Sequence, residues 1–388
     1  MTRRVAERSW RAATASCEPA WTTKIQYPRG SFGMATENSR LILTRRPEPG
    51  RLADCFDFQR SRLEEPGPGE VLLQTLWISV EPYMVLAASG ALAARPREAR
   101  TRMQSLMVRY AAGVEIGEAM PGPAVCRVIK SRHPGFGEGE IVTSYSGWQS
   151  LALDDGSLLR KIPAGPVPLP AFLGVLGIPG LTGYAGMKVI GAPRGDDMVV
   201  VSAAMGAVGA VAADVARQAG APTVGITSTE RKRLQMVEEL GFTFGADRKA
   251  EDFSDQLKQA CPRGVDVYFE NVGGMVWWTV FPLLRAFARI PVSGTLTNYM
   301  PGAGEGERDR VPELMKQVVP RRLRIQGFAV FDYPELEDEF TEVIGDRIAS
   351  GAFTYVEDRY EGLGSTPQAL QDIVDGKTSG KVVIHLAD

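Results

Sequence analysis

Histidine is almost missing: His133 and His385 are the only two in 388 residues. Cysteine is nearly as sparse, and Cys17, Cys55, Cys126 and Cys261 lie far apart with no CxxC pair. A catalytic zinc takes Cys, His or carboxylate ligands, and a structural zinc needs four ligands close together. Neither constellation is legible here. His133 precedes Pro134 in a glycine-rich loop and His385 lies near the C-terminus, so solvated or core imidazoles are the plainer reading of both. The cysteine spacing gives no disulfide framework and fits free thiols in a reducing cytoplasm. No apolar run reaches bilayer-spanning length. A net charge of −2 gives no electrostatic reason to expect nucleic acid or an anionic membrane as partner. The remainder is ordinary globular composition, 44% hydrophobic and 23% charged, in a chain long enough for two cores.

What is present is concentrated between Val199 and Ala210. Val199-Val200-Val201 gives way to small residues, and Val208, Val211, Ala212, Val215, Ala216 and Ala219 then recur on one helical face until Gly220. That predicts strand, tight turn, helix. Ala204-x-Gly206-x-x-Gly209 reads as a dinucleotide fingerprint with alanine in place of the first glycine. Gly206 would let the backbone approach a pyrophosphate, and Gly209 would let the helix pack close to the strand. The helix N-terminus, from Ala207 and Val208, would supply N–H groups and a positive dipole end. A glycine pattern alone is weak; the flanking strand and helix give it weight.

The end of the second strand selects the cofactor. An NAD site places an acid there, about 20 residues beyond the glycines. Here the chain reads Thr227-Ser228-Thr229-Glu230-Arg231-Lys232-Arg233. Small hydroxyl residues followed by three cations suit a 2′-phosphate and hence NADP. Glu230 argues the other way unless it is a first-turn helix residue, and the basic run also reads as a solvated face.

Organisation along the chain follows the same logic. Residues 1–33 are rich in arginine without an apolar core, which excludes a secretory signal. They read as a poorly ordered extension, with Met34 resembling a second start. From Arg40 to Gly165 short strands dominate, among them Val71–Val80, Ala124–Ile129 and Ile141–Tyr145, as in a small, partly open barrel. From Pro168 strands and helices alternate, implying a doubly wound parallel sheet. Its strands are expected at Met198–Ser202, Thr223–Thr227, Val265–Phe269, Ala288–Ser293 and Arg324–Ala329. Pro291 sits awkwardly in the fourth, which therefore bulges there or is misbounded. Residues 301–320, with Gly302, Gly304 and Gly306, read as a loop beside the cleft. The tail ends in a strand, Lys381–Leu386, that rejoins the first domain.

A barrel followed by a nucleotide domain suggests an alcohol dehydrogenase, but the zinc ligands are lacking. The chain instead resembles the zinc-free branch of the medium-chain dehydrogenase/reductase superfamily, and within it the alkenal/one reductases: prostaglandin, curcumin and plant double-bond reductases. Six stretches carry the resemblance over nearly all of the chain after Met34: Ser79–Met84, Leu176–Tyr184, Ala203–Gly209, Glu270–Gly274, Gly294–Tyr299 and Gly376–Lys381. It implies a GroES-like catalytic domain, residues 34–165 with 351–388, split around a Rossmann NADP-binding domain, 166–350, in a homodimer. It also implies that Lys232 meets the 2′-phosphate and that Asn271 and the Gly273-Gly274 turn lie along the cofactor. Tyr299 is placed near the nicotinamide ribose and the substrate oxygen, and Tyr83 lines the cleft. The implied reaction is hydride transfer from NADPH to the β-carbon of an enone or enal, with Tyr299 and the ribose hydroxyl holding the enolate. Tyr299 or water would then protonate the α-carbon.

Both tyrosines have a plain rival reading as packing residues. The chain also departs from the family pattern. Val85 stands where arginine usually follows Pro-Tyr-Met, and Asp247-Arg248 replaces the tyrosine or histidine common after the third strand. Two rival functions share the scaffold: a quinone oxidoreductase, and a non-catalytic NADPH-binding protein.

Overall fold

The computed structural model describes residues 36–48, 50–90, 101–299 and 308–388. The expected extension of residues 1–33 and the glycines Gly302, Gly304 and Gly306 lie outside these. The first sheets are built from β1 (Thr36–Leu43), β2 (Phe56–Leu63), β3 (Val71–Val80), β4 (Ala124–Ser131), β5 (Ile141–Ser144), β6 (Leu151–Asp154) and β7 (Arg160–Lys161). β1 and β2 form an antiparallel pair, while β3, β4, β5 and β7 follow one another in a larger sheet. β3 alternates too little for one wet face: eight of its ten residues are buried. It is the central strand. β6 pairs with its first half, and the C-terminal strand pairs with its second half, Val382 opposite Val80.

The parallel sheet comprises β8 (Val199–Ser202), β9 (Thr223–Thr227), β10 (Phe244–Asp247), β11 (Val265–Phe269), β12 (Leu284–Val292) and β13 (Arg324–Gly327). Their order is β10-β9-β8-β11-β12-β13, all parallel, with the topological switch between β8 and β11. β8 is buried on both faces. Val199 and Val201 meet Ala212, Ala213 and Ala216 of the following helix, while Val200 joins Val224 and Ile226 on the other side. The chain closes with β14 (Glu357–Glu361) and β15 (Lys381–His385), which extend the first large sheet.

Three sequence readings change. β10 escapes a hydrophobicity scan because Phe244-Gly245-Ala246-Asp247 has no β-branched residue. The irregularity in β12 falls at Phe287, with φ of 67°, and not at Pro291. Pro291 lies near the strand's end, where its carbonyl accepts from the Glu270 N–H at 2.9 Å. Most of the described part of the expected 301–320 loop is a helix, Val311–Arg321, with Pro312 tolerated in its first turn and Pro320 in its last.

Candidate active site

β8 delivers the chain into the dinucleotide turn. Ala203 takes φ of 48° and Ala204 is fully buried beneath it. Gly206 then starts the helix Ala207–Gln218. Its own φ of −68° suits any residue, and a Cβ there would meet only the Ala203 oxygen, at 3.5 Å. Nothing among the described residues demands glycine at this point, and the space beside it is open. No side chain caps the helix, which leaves first-turn N–H groups at Ala207 and Val208 available to a phosphate. Gly209 is different: a Cβ would lie 2.6 Å from the Ala203 oxygen and 2.7 Å from Ala204 Cα. The two glycines should therefore separate experimentally. Gly206→Val is expected to keep the thermal midpoint and weaken dinucleotide binding about tenfold or more, whereas Gly209→Val should lower the midpoint itself. Calorimetry and a binding titration on both variants check this.

At the end of β9, Thr227 and Ser228 are buried and neutral. Glu230 is held by Arg233 through two contacts of 2.6 Å, as a first-turn helix residue. It does not face a ribose hydroxyl as an unpaired acid. Lys232 is 3% exposed, and its ammonium donates to Ser228 Oγ at 3.2 Å, the Gly376 oxygen at 2.9 Å and the Thr378 oxygen at 2.6 Å. Burial lowers its pKa, partly countered by Asp358.

Beyond β11, the buried Glu270 carboxylate gathers the next turn. It accepts from Tyr268 Oη at 2.6 Å, Ser202 Oγ at 3.0 Å, and the backbone N–H groups of Val272 and Gly273. Asn271 spends its amide on the Ser202 carbonyl, 2.7 Å away, and accepts from Ser293 Oγ. Gly273 and Gly274 follow at φ of 77° and 54°, which a side chain would strain. The sequence motif is thus a clamp joining the ends of β8, β11 and β12, with the glycine turn presented at the strands' carboxyl edge.

Four tyrosines meet nearby. Tyr83 follows β3, and its hydroxyl lies 2.5 Å from that of Tyr145, which follows β5. Tyr110, on the helix Arg102–Ala111, stacks against Tyr83 with ring centroids 4.0 Å apart. Tyr299 packs onto the same cluster from beyond β12. Its hydroxyl sits against Gly294, 2.7 Å from where a Cβ would be. Burial raises the Tyr299 pKa, opposed by a hydrogen bond from the Thr295 backbone. Tyr83 and Tyr110 are raised further, chiefly by burial. All four phenols are protonated donors at neutral pH. Tyr83 is only 4% exposed with its hydroxyl engaged, so it is the floor of the cluster.

Comparison with known proteins places this arrangement. Residues 39–162 match the family described as N-terminal domain of oxidoreductase, and residues 207–346 match that described as zinc-binding dehydrogenase. The NADPH-dependent curcumin reductase of Escherichia coli (strain K12) is 37% identical over 351 residues, covering 90% of this chain and 97% of that protein. The NADP(+)-dependent 2-alkenal reductase of Nicotiana tabacum is 32% identical over 323 residues, covering 83% and 88%. The crystal structure of CurA in complex with NADPH from Vibrio vulnificus superposes with a TM-score of 0.81 at 35% identity, covering 90% of this chain and 99% of that one. The chain belongs to the zinc-independent medium-chain dehydrogenase/reductase superfamily.

Within this superfamily the fold is the GroES-like domain plus Rossmann domain that the sequence suggests. Although one matched family is named for zinc, no group of three or more His, Cys, Asp or Glu is placed to hold a metal among the described residues. No described helix is long and apolar enough to cross a membrane. The sequence reading missed Tyr110 because its helix lies in a region scored as strands. The Thr101-x-x-Gln104 cap, with Thr101 Oγ1 accepting from the Gln104 N–H at 3.2 Å, is the signal that could have found it. Glu270 was visible within a motif and Tyr145 at the end of an expected strand, but nothing in the sequence gave them partners.

Proposed function

We propose that this protein uses NADPH to reduce the C=C bond of α,β-unsaturated ketones and aldehydes. The observation that carries the reading is Tyr299, a protonated phenol held beside the Tyr83–Tyr110 stack at the carboxyl edge of the parallel sheet. The names of the related curcumin and alkenal reductases support it. The turn at Gly206, the N–H groups of Ala207 and Val208, and the Gly273-Gly274 turn would hold the dinucleotide, with Thr227, Ser228 and Lys232 around its 2′-phosphate. The chemistry that NADPH would supply when held there is a hydride from nicotinamide C4, accepted by the substrate's β-carbon. As the C=C electron pair moves toward the carbonyl, Tyr299 donates a hydrogen bond to the oxygen that becomes enolate. A proton from Tyr299 or water reaches the α-carbon and completes the saturated product.

Purified protein should oxidise NADPH with an aliphatic enone, a chalcone and an enal, giving products without the C=C bond. It should leave a saturated ketone untouched. Turnover of a quinone alone would overturn the reading in favour of the quinone oxidoreductase, and binding without turnover would favour a non-catalytic protein.

The assembly we propose is a homodimer. Strand β13 pairs only with β12 among the described residues, and Phe287, Met315, Val319 and Ile325 stand exposed at that side of the sheet. A second copy adding to this edge would cover them. The double substitution Val319→Lys/Ile325→Lys should halve the mass measured by light scattering. An unchanged mass places the interface elsewhere.

A further inference from the structure

A cavity of ≈ 170 Å³ abuts Tyr145 outside the tyrosine cluster. The helix Arg102–Ala111, the ends of β5 and β7, the helix Ile178–Ala185 and the helix Glu337–Ala349 enclose it. Tyr83, Tyr110 and Tyr299 do not line it, and neither do the Gly206 and Gly273 turns. It starts one helical turn before Tyr110. Leu106 and Arg102 precede that tyrosine on the same helical face, and both border the cavity. The stretch Leu176–Tyr184, which contributes nothing to the dinucleotide turn, supplies Leu176, Ile178 and Leu181 to its wall. The wall shared with the tyrosine cluster is Tyr145, whose hydroxyl lies 2.5 Å from that of Tyr83.

The lining has two chemistries. Leu106, Leu158, Phe172, Leu176, Ile178 and Phe340 make an apolar interior, and an apolar cavity of about 150 Å³ is enough for a benzene-sized body. At the rim, Arg102 and Arg160 converge on the same Glu337 oxygen, Arg160 at 2.9 Å. Arg160 also donates to Thr341 Oγ1 at 3.3 Å. The other charges nearby do not restore the balance. Lys161 is paired with Glu140 at 2.7 Å, and Asp338, 3.5 Å from Arg160, is fully exposed and therefore screened. Two guanidinium groups thus share one carboxylate, and the rim keeps a net positive charge. A guanidinium has five N–H donors, yet among the described residues Arg102 bonds through Nη2 alone. Its Nε and Nη1 donors remain for an anion.

We propose that this cavity binds a small monocarboxylate with an apolar body, at a site separate from the dinucleotide and enone cleft. The body lies among Leu106, Phe172, Ile178 and Phe340, and the carboxylate meets Arg102 beside Arg160. Guanidinium and carboxylate match in a charge-assisted, two-pronged contact, and the apolar walls reject a more hydrated anion such as free phosphate.

The test titrates the full chain calorimetrically, without cofactor, with 3-phenylpropanoate and its neutral analogue 3-phenylpropan-1-ol. The carboxylate should bind at least about tenfold tighter than the alcohol, and raising the salt should weaken the carboxylate alone. Arg102→Gln should bring the carboxylate down to the affinity of the alcohol and leave the alcohol unchanged. Its thermal midpoint should hardly move, because Glu337 keeps Arg160 as its counter-charge. Ile178→Trp, which fills the apolar interior, should abolish binding of both probes with the circular dichroism of the fold retained. Equal affinities for acid and alcohol, or no binding of either, would overturn the inference. An acid affinity that survives Arg102→Gln or Ile178→Trp would overturn it as well. No cofactor or turnover enters these titrations, so their failure is distinct from failure of the NADPH reading.

Discussion

Lys381→Met is expected to cost the fold about 3–5 kcal/mol, the usual penalty for breaking a buried ion pair from one side. The Lys381 ammonium is buried and donates to Ser79 Oγ at 2.6 Å, the Val80 oxygen at 3.0 Å and Glu81 Oε1 at 3.4 Å. Ser79 Oγ in turn donates to the same Glu81 oxygen at 2.6 Å. Burial lowers the Lys381 pKa and Glu81 opposes that shift. Removing the cation leaves the Glu81 carboxylate, itself 7% exposed, without a counter-charge. Because Glu81 leads directly into Pro82-Tyr83-Met84, the damage should reach the tyrosine cluster as well as the sheet. A denaturant titration should show the midpoint falling with an unchanged slope. The double variant Lys381→Met/Glu81→Gln should recover part of the loss, since no unpaired charge remains buried. If Lys381→Met is neutral alone, the pair does not hold the C-terminal strand to β3.

This pair illustrates what a sequence hides. Ser79, Glu81 and Lys381 stand in two motifs some 300 residues apart, 302 for Ser79 and Lys381, and no periodicity connects them. Contact across that distance exists only once β15 pairs with β3. Local signals fared better. The strand Val71–Val80 and the strand Thr223–Thr227 have the bounds their patterns predict, because a long apolar run is bounded by turn residues on both sides. The Gly206 turn was legible for the same reason: strand, turn and helix are adjacent in the chain, and each constrains the next. β10 was not legible, because four residues packed between Gly225's strand and the helices gain their strand character from neighbours. The candidate site divides similarly. Gly206, Asn271 and Gly273 stand in motifs that the sequence shows, while the carboxylate that holds the Val272 and Gly273 N–H groups, Glu270, needed Tyr268 and Ser202 placed around it before its structural part could be read.

Tyr299→Phe should reduce kcat by about 10²–10³, the range for losing one donor to a developing oxyanion, while NADPH affinity stays essentially unchanged. The substitution removes one oxygen and keeps the ring that packs on the Tyr83–Tyr110 cluster, so the stability of the fold should hardly move. A ground-state role would instead raise KM with kcat intact. The pH profile provides an independent readout. Burial raises the Tyr299 pKa above the ordinary tyrosine value of about 10, and the protonated form is the donor. Activity should therefore hold level from neutral pH upward and fall only beyond that value, as the donor is lost. In Tyr299→Phe the residual rate should no longer carry this alkaline limb. Tyr83→Phe makes the contrast. Its hydroxyl is already bonded to Tyr145 at 2.5 Å, so its loss leaves a buried partner unpaired, at a cost of about 1–3 kcal/mol in stability. The catalytic step itself should be affected far less than in Tyr299→Phe. Equal losses of kcat in the two variants would move the oxyanion contact from Tyr299 to the cluster as a whole.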